Sequence, residues 1–123
     1  MSNCSCSCQS APTLIFPCSG GSDVGELADR AARKLTADGR GKMYCLAGIG
    51  GRVSGILKTT EAADSILALD GCPLDCAKKT LEAAGFTNIQ HLRMSDLGLV
   101  KGQAPANDNN IALVCEKACA LLS

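Results

Sequence analysis

The stretch Ser65-Ile-Leu-Ala-Leu-Asp70-Gly71-Cys72-Pro-Leu-Asp-Cys76 decides the fold. It begins with a continuous apolar run, which is typical of a strand buried on both faces of a parallel sheet. A turn follows at Gly71, and Pro73 favours the first turn of a helix, which we predict to extend to about Ala84 and to end at Gly85. Strand, turn and helix in this order form the unit from which α/β domains are built.

The same alternation extends across the rest of the chain. Further strands are predicted at 13–17, 42–47 and 86–92, and helices at about 23–38, 53–63 and 110–122. Asp23 is the predicted N-cap of the first helix, with Glu26 as its capping-box partner. Because parallel strands need right-handed crossovers, we predict a three-layer, Rossmann-like α/β fold. Its mostly parallel four-stranded sheet has helices on both faces and the strand order 2-1-3-4.

Length and composition limit the possible classes of protein. At 123 residues the chain has the length of one domain, predicted over residues 13–123 after a flexible Cys-rich tail over residues 1–12. Aromatic residues make up only 2%, so the platforms on which nucleic-acid bases stack are nearly missing. Twelve basic and twelve acidic residues cancel, which leaves no electrostatic footprint for nucleic acid. The sequence has no apolar run of transmembrane length and no signal peptide, so we expect a cytoplasmic protein without a membrane partner. We also expect it to be a monomer.

Four cysteines are predicted to meet at one edge of the sheet. Cys18, Cys45, Cys72 and Cys76 each end or follow a predicted strand, and the carboxyl ends of parallel strands form the edge where α/β folds place their sites. Nine cysteines in a reducing compartment indicate metal ligands or reactive thiols rather than disulfides.

Three functions fit such a set of thiols. Four cysteines suit a Zn²⁺ ion, whose closed coordination shell would be structural, sensory or in transit. The pair Cys72 and Cys76, at the beginning of a helix, could instead act as nucleophile and resolving thiol of a redox enzyme or redox sensor. An iron–sulfur scaffold would use the same ligands. The sequence leaves these alternatives open, and with them the question of whether the protein is an enzyme.

A resemblance to a known family favours the first alternative. It is carried by the segments Pro17-Cys18-Ser-Gly-Gly-Ser-Asp-Val-Gly25, Cys45-Leu-Ala-Gly-Ile-Gly50, Asp70-Gly71-Cys72-Pro-Leu-Asp-Cys76 and Asp96-Leu-Gly-Leu-Val-Lys101. In this order they resemble the DGC domain family of zinc-binding proteins, named for the Asp-Gly-Cys motif, over about residues 14–122. The resemblance implies an α/β domain whose four edge cysteines bind zinc, and it implies no reaction.

The remaining cysteines and the one histidine give weaker signals. Cys4, Cys6 and Cys8 form a C-x-C-x-C pattern that could chelate a soft metal or could be incidental thiols of a tail. Cys115 and Cys119 share one face of the last helix, where an apolar stripe favours a core role for Cys115 over a dithiol. His91 is predicted to be a partly buried or surface residue of the fourth strand.

Overall fold

The computed structural model describes residues 12–122. Within them the strands are β1 (Thr13–Pro17), β2 (Lys42–Met43), β3 (Ser65–Asp70) and β4 (Ile89–Arg93). The helices are α1 (Asp23–Ala37), α2 (Leu46–Gly50), α3 (Ser54–Glu61), α4 (Cys76–Ala83) and α5 (Asp108–Leu122), and a 3₁₀ turn covers Met94–Leu97. Cys4, Cys6 and Cys8 of the predicted tail lie outside the described residues. None of these helices is long and apolar enough to cross a bilayer.

The four strands form one parallel sheet in the order β2-β1-β3-β4, which confirms the predicted fold class and strand order. β1 pairs with β3 along its whole length, from Thr13 opposite Ser65 to Pro17 opposite Leu69. The chain moves outward from β1 to β2 in one direction and from β3 to β4 in the other. The crevice between the carboxyl ends of β1 and β3 is therefore the topological switch point, where open α/β sheets bind ligands.

Alternate residues of the two central strands enter two separate cores. The core against α1 and α5 receives Ile15, Leu67 and Leu69. The core against α2 and α4 receives Leu14, Phe16, Ile66 and Ala68. Because side chains of a strand alternate between its faces, continuous apolar runs need helices on both sides of the sheet, and the structure has the three layers that the sequence predicts.

Two helix boundaries near the cysteines differ from prediction for local reasons. β2 ends at Met43 because Cys45 caps α2, its Sγ accepting the Gly48 N–H at 3.4 Å. Gly48 and Gly50, which lie between the predicted strand at 42–47 and the predicted helix at 53–63, are therefore helical. α4 begins at Cys76, three residues after Pro73, because Asp75 has a left-handed backbone with φ 58°, a conformation that interrupts a right-handed helix.

The cap of α1 also differs from prediction. Ser22, not Asp23, is the N-cap, and its Oγ accepts the Gly25 N–H at 3.1 Å. The Asp23 carboxylate instead accepts the N–H groups of Gly102 and Ala104 at 2.9 and 3.0 Å. Asp23 thus ties the start of α1 to a loop about eighty residues later.

Candidate metal site at the carboxyl edge of the sheet

The four predicted ligands all lie at or just beyond the carboxyl ends of strands. Cys18 directly follows β1, and its N–H donates to the Leu69 carbonyl of β3 at 2.9 Å. Cys72 follows β3 by two residues, Cys76 is the first residue of α4, and Cys45 caps α2 after β2. The topology therefore places Cys18 and Cys72 at the switch point, with the other two cysteines on its flanks.

Three of these cysteines line one depression. Cys18, Cys72 and Cys76 lie on the wall of an opening of about 400 Å³. Cys45 lines a neighbouring depression of about 560 Å³, and Cys18 belongs to both. Cys18 and Cys72 are partly buried, whereas Cys45 and Cys76 are exposed. Cys18 thus connects the three-thiol depression to the fourth cysteine.

The donors fit zinc in their chemistry, but their sulfur atoms do not form a tetrahedron. A Zn–S bond of about 2.3 Å places the sulfurs of a tetrahedral site roughly 3.8 Å apart. Among residues 12–122, no three cysteine sulfurs lie within 4.8 Å of one another. All four thiols are free of disulfides. Holding one ion with all four would require the exposed thiols to approach the partly buried ones.

A different group within the described residues does have the spacing of metal ligands. One ligand atom each from Asp70, Asp75 and His91 lies within 4.8 Å of the others. His91 Nε2 is 2.9 Å from Asp70 Oδ2 and 3.7 Å from Asp75 Oδ1. Protein groups already bind the oxygens of both carboxylates, as described below, so a cation here would compete with them.

The Asp70 carboxylate anchors the N-terminus of α4. It is 1% exposed, and its oxygens accept the Ala77 N–H at 2.7 Å and the Lys78 N–H at 3.1 Å. The first amides of a helix have no intrahelical partner, and the helix dipole favours a negative charge there. The aspartate of the Asp-Gly-Cys segment therefore fixes the helix that carries Cys76.

Two residues with left-handed backbone lie directly beside predicted ligands. Ser19 has φ 50° and Asp75 has φ 58°, a region that costs a non-glycine residue about 1–3 kcal/mol. Side chains hold both in place. Ser19 Oγ donates to Asp29 Oδ1 at 3.0 Å, and Arg93 donates to the two oxygens of Asp75 at 2.8 and 2.7 Å.

Replacing Arg93 with Met tests the second of these contacts. The hydrogen bond from Arg93 is the largest cause that lowers the pKa of Asp75. A carboxyl whose folded pKa lies below its unfolded value of about 3.9 stabilises the fold above that pH, and this contribution is lost as the pH falls through the folded pKa. R93M should be less stable than the parent protein at pH 7, and the difference should shrink at pH 3.

Urea unfolding at both pH values measures this difference, with the exposed Arg40→Met as the control. A stability difference of the same size at pH 7 and pH 3 would contradict an electrostatic role for Arg93.

Sequence reasoning missed this network, although one signal for it exists. His91 and Arg93 alternate in β4 and so share a face, and the register places Arg93 opposite Asp70. Together with the predicted strand order, in which β4 lies beside β3, the alternation of His91 and Arg93 would have predicted that both side chains lie near the Asp-Gly-Cys segment.

Cys115 and Cys119 lie on α5, away from the edge. Cys115 is 8% exposed within the core between α1 and α5, and its Sγ donates to the Ala31 carbonyl at 3.7 Å. Burial raises the pKa of the Cys115 thiol to about 11. Cys115 is therefore a protonated core residue at neutral pH, whereas Cys119 is only partly buried.

The fold and the edge define a parallel α/β domain with cysteines around its switch point and a buried aspartate that anchors the helix beside them. The chain belongs to the DGC domain family, whose model matches residues 14–120. It is similar to the anaerobic and virulence modulator AnvM of Pseudomonas aeruginosa, with 40% identity over 88 residues that cover 72% of this chain and 67% of that protein. No solved structure gives a significant match.

Proposed function

We propose that the protein binds one zinc ion through Cys18, Cys45, Cys72 and Cys76 and that it acts in metal sensing or handling. The observation that carries the proposal is the single depression lined by three of these thiols, which come from three different loops and helix ends. It lies at the switch point, where α/β sheets bind ligands, and thiolates are ligands that select zinc and other soft metals.

The chain's own residues would position the ligands. Asp70 and Arg93 fix the backbone on either side of the turn that carries Cys72 and leads to Cys76. The backbone of Gly20, in the loop after Cys18, packs closely against Gly25 in the first turn of α1, which holds that loop against the helix. When bound, zinc would supply a closed tetrahedral centre that links these segments.

The name of the similar protein supports a regulatory role. AnvM is called an anaerobic and virulence modulator, and we extend only the idea of a modulator to this chain. A zinc–thiolate centre suits such a role because oxidation of its ligands releases the metal. In that oxidation two thiolates form a disulfide and pass two electrons to an oxidant such as a peroxide.

Metal and thiol analysis of protein purified without chelator tests the proposal. We expect one zinc per chain and four fewer reactive thiols in the zinc-loaded than in the zinc-free protein. Serine at any one of the four positions should weaken zinc binding by more than about a hundredfold, because ligand loss should exceed the effect of losing an outer-shell partner. Cys119→Ser, on α5, is the matched control and should keep one zinc per chain.

Other outcomes of the same measurement favour the alternatives. No metal with all edge thiols titratable would contradict the zinc proposal and favour thiol redox chemistry at Cys72 and Cys76, which line the same depression. Iron with acid-labile sulfide would favour an iron–sulfur scaffold. Zinc that stays bound after mild oxidation would contradict the sensing role and leave a structural one.

A further inference from the structure

One charged side chain lies on the wall of the three-thiol depression. Lys101 lines it together with Cys18, Cys72 and Cys76, and no carboxylate of the described residues does so. The lining of this depression therefore carries one positive charge and no negative charge.

A backbone hydrogen bond closes the turn that carries Lys101. The Gln103 N–H donates to the Val100 carbonyl at 2.9 Å, and Gly102, the third residue of this turn, has φ 90°. These are the features of a type II turn, which requires a residue with positive φ at its third position. On either side of the turn, Leu99 and Ala104 are buried in the core against α1 and α5.

Asp23 fastens this turn to the beginning of α1. Its two carboxylate oxygens accept the N–H groups of Gly102 and Ala104, and the bond from Gly102 is the largest cause that lowers the pKa of Asp23. Because α1 follows directly after the loop of Cys18, this contact holds Lys101 beside the thiols.

We propose that Lys101 is a counter-charge for the thiol site and that it stabilises an anionic sulfur centre and draws anions into the depression. The first part rests on the proposed function, because zinc with four thiolates carries a net charge of −2 and a nearby cation lowers its energy. The second part, the attraction of anions into the depression, requires no metal.

Alkylation of the metal-free protein with iodoacetate and with iodoacetamide tests the counter-charge directly. In both reactions the thiolate sulfur forms a bond to the CH₂ carbon and iodide leaves. The ratio of the two rates is therefore independent of the thiolate fraction and reports on the local potential felt by the anionic reagent. A unit charge about 6 Å away in water changes the local concentration of a monoanion roughly threefold.

We expect the iodoacetate-to-iodoacetamide ratio at Cys72 and Cys76 to fall about threefold in Lys101→Met, as measured for each cysteine by peptide mass mapping. Lys101→Arg should restore the ratio because it keeps the charge. Lys117→Met, an exposed lysine of α5, is the matched control and should leave it unchanged. A ratio that is the same in K101M as in the parent protein would overturn the inference.

Zinc dissociation, followed by trapping the released metal at chelator concentrations where the rate no longer depends on the chelator, separates this inference from the proposed function. K101M should keep one zinc per chain and release it up to about tenfold faster, because the zinc site carries two negative charges. If the parent protein binds no zinc, the proposed function fails, while the alkylation ratio still tests Lys101. One zinc per chain together with an unchanged ratio overturns the inference on Lys101 alone.

Discussion

Replacing Asp70 with alanine is expected to lower the free energy of unfolding by about 3–5 kcal/mol. The substitution leaves the buried Ala77 amide, the partly buried Lys78 amide and the His91 ring without their acceptor, and each unsatisfied buried group costs about 1–3 kcal/mol. Urea unfolding followed by circular dichroism measures the effect. Asp64→Ala is the matched control, since Asp64 is exposed just before β3, and such changes stay within about 0.5 kcal/mol.

Asp70→Asn refines the same test. Its side-chain amide keeps one acceptor oxygen, so one helix amide retains its bond and the other loses it, and the stability should lie between those of the parent and D70A. A loss below about 1 kcal/mol for D70A would contradict the role of Asp70 as the anchor of α4.

Gly71→Ala is expected to destabilise the protein by about 1–3 kcal/mol, the usual cost of overpacking, and to weaken zinc binding. A β-carbon at Gly71 would lie 2.8 Å from the carbonyl carbon of Val24, and this backbone atom in the first turn of α1 cannot move away by itself. The turn that carries Cys72 must therefore shift relative to α1. Thermal and urea unfolding measure the loss of stability, and chelator competition measures zinc affinity.

Gly55→Ala is the matched control for this substitution. Gly55 lies in α3, and a β-carbon there would meet no atom within 4 Å. Removing a glycine from a helix should stabilise it by about 0.5–1 kcal/mol. If G71A were as stable as the parent protein, the close approach of the Cys72 turn to α1 would not be a constraint on the site.

The fold could be predicted because its main signals are local. The apolar runs of β1 and β3 are continuous, so each strand needs cover on both faces, and helices of suitable length lie between the strands. The edge position of the cysteines then follows from topology alone. It does not depend on the conformation of any one loop.

The details of the site depend on contacts between distant segments, and the sequence does not reveal these. Ser22 and Asp23 are both good helix caps, and the choice between them follows from the partners of Asp23 at Gly102 and Ala104. The role of His91 depends on the pairing of β4 with β3.

The helical conformation of the glycine-rich segment after Cys45 is a second such case. Glycine lowers helix propensity, yet α2 forms because Cys45 caps it and Ile49 is fully buried in the core that also contains side chains of β1, β3 and α4. Here tertiary packing outweighs the local preference.

X-ray absorption at the zinc edge of the zinc-loaded protein is the most direct test of the central claim. We predict four sulfur ligands at about 2.3 Å. A first shell dominated by nitrogen and oxygen at about 2.0–2.2 Å would contradict the four-cysteine site and would favour a site such as Asp70, Asp75 and His91.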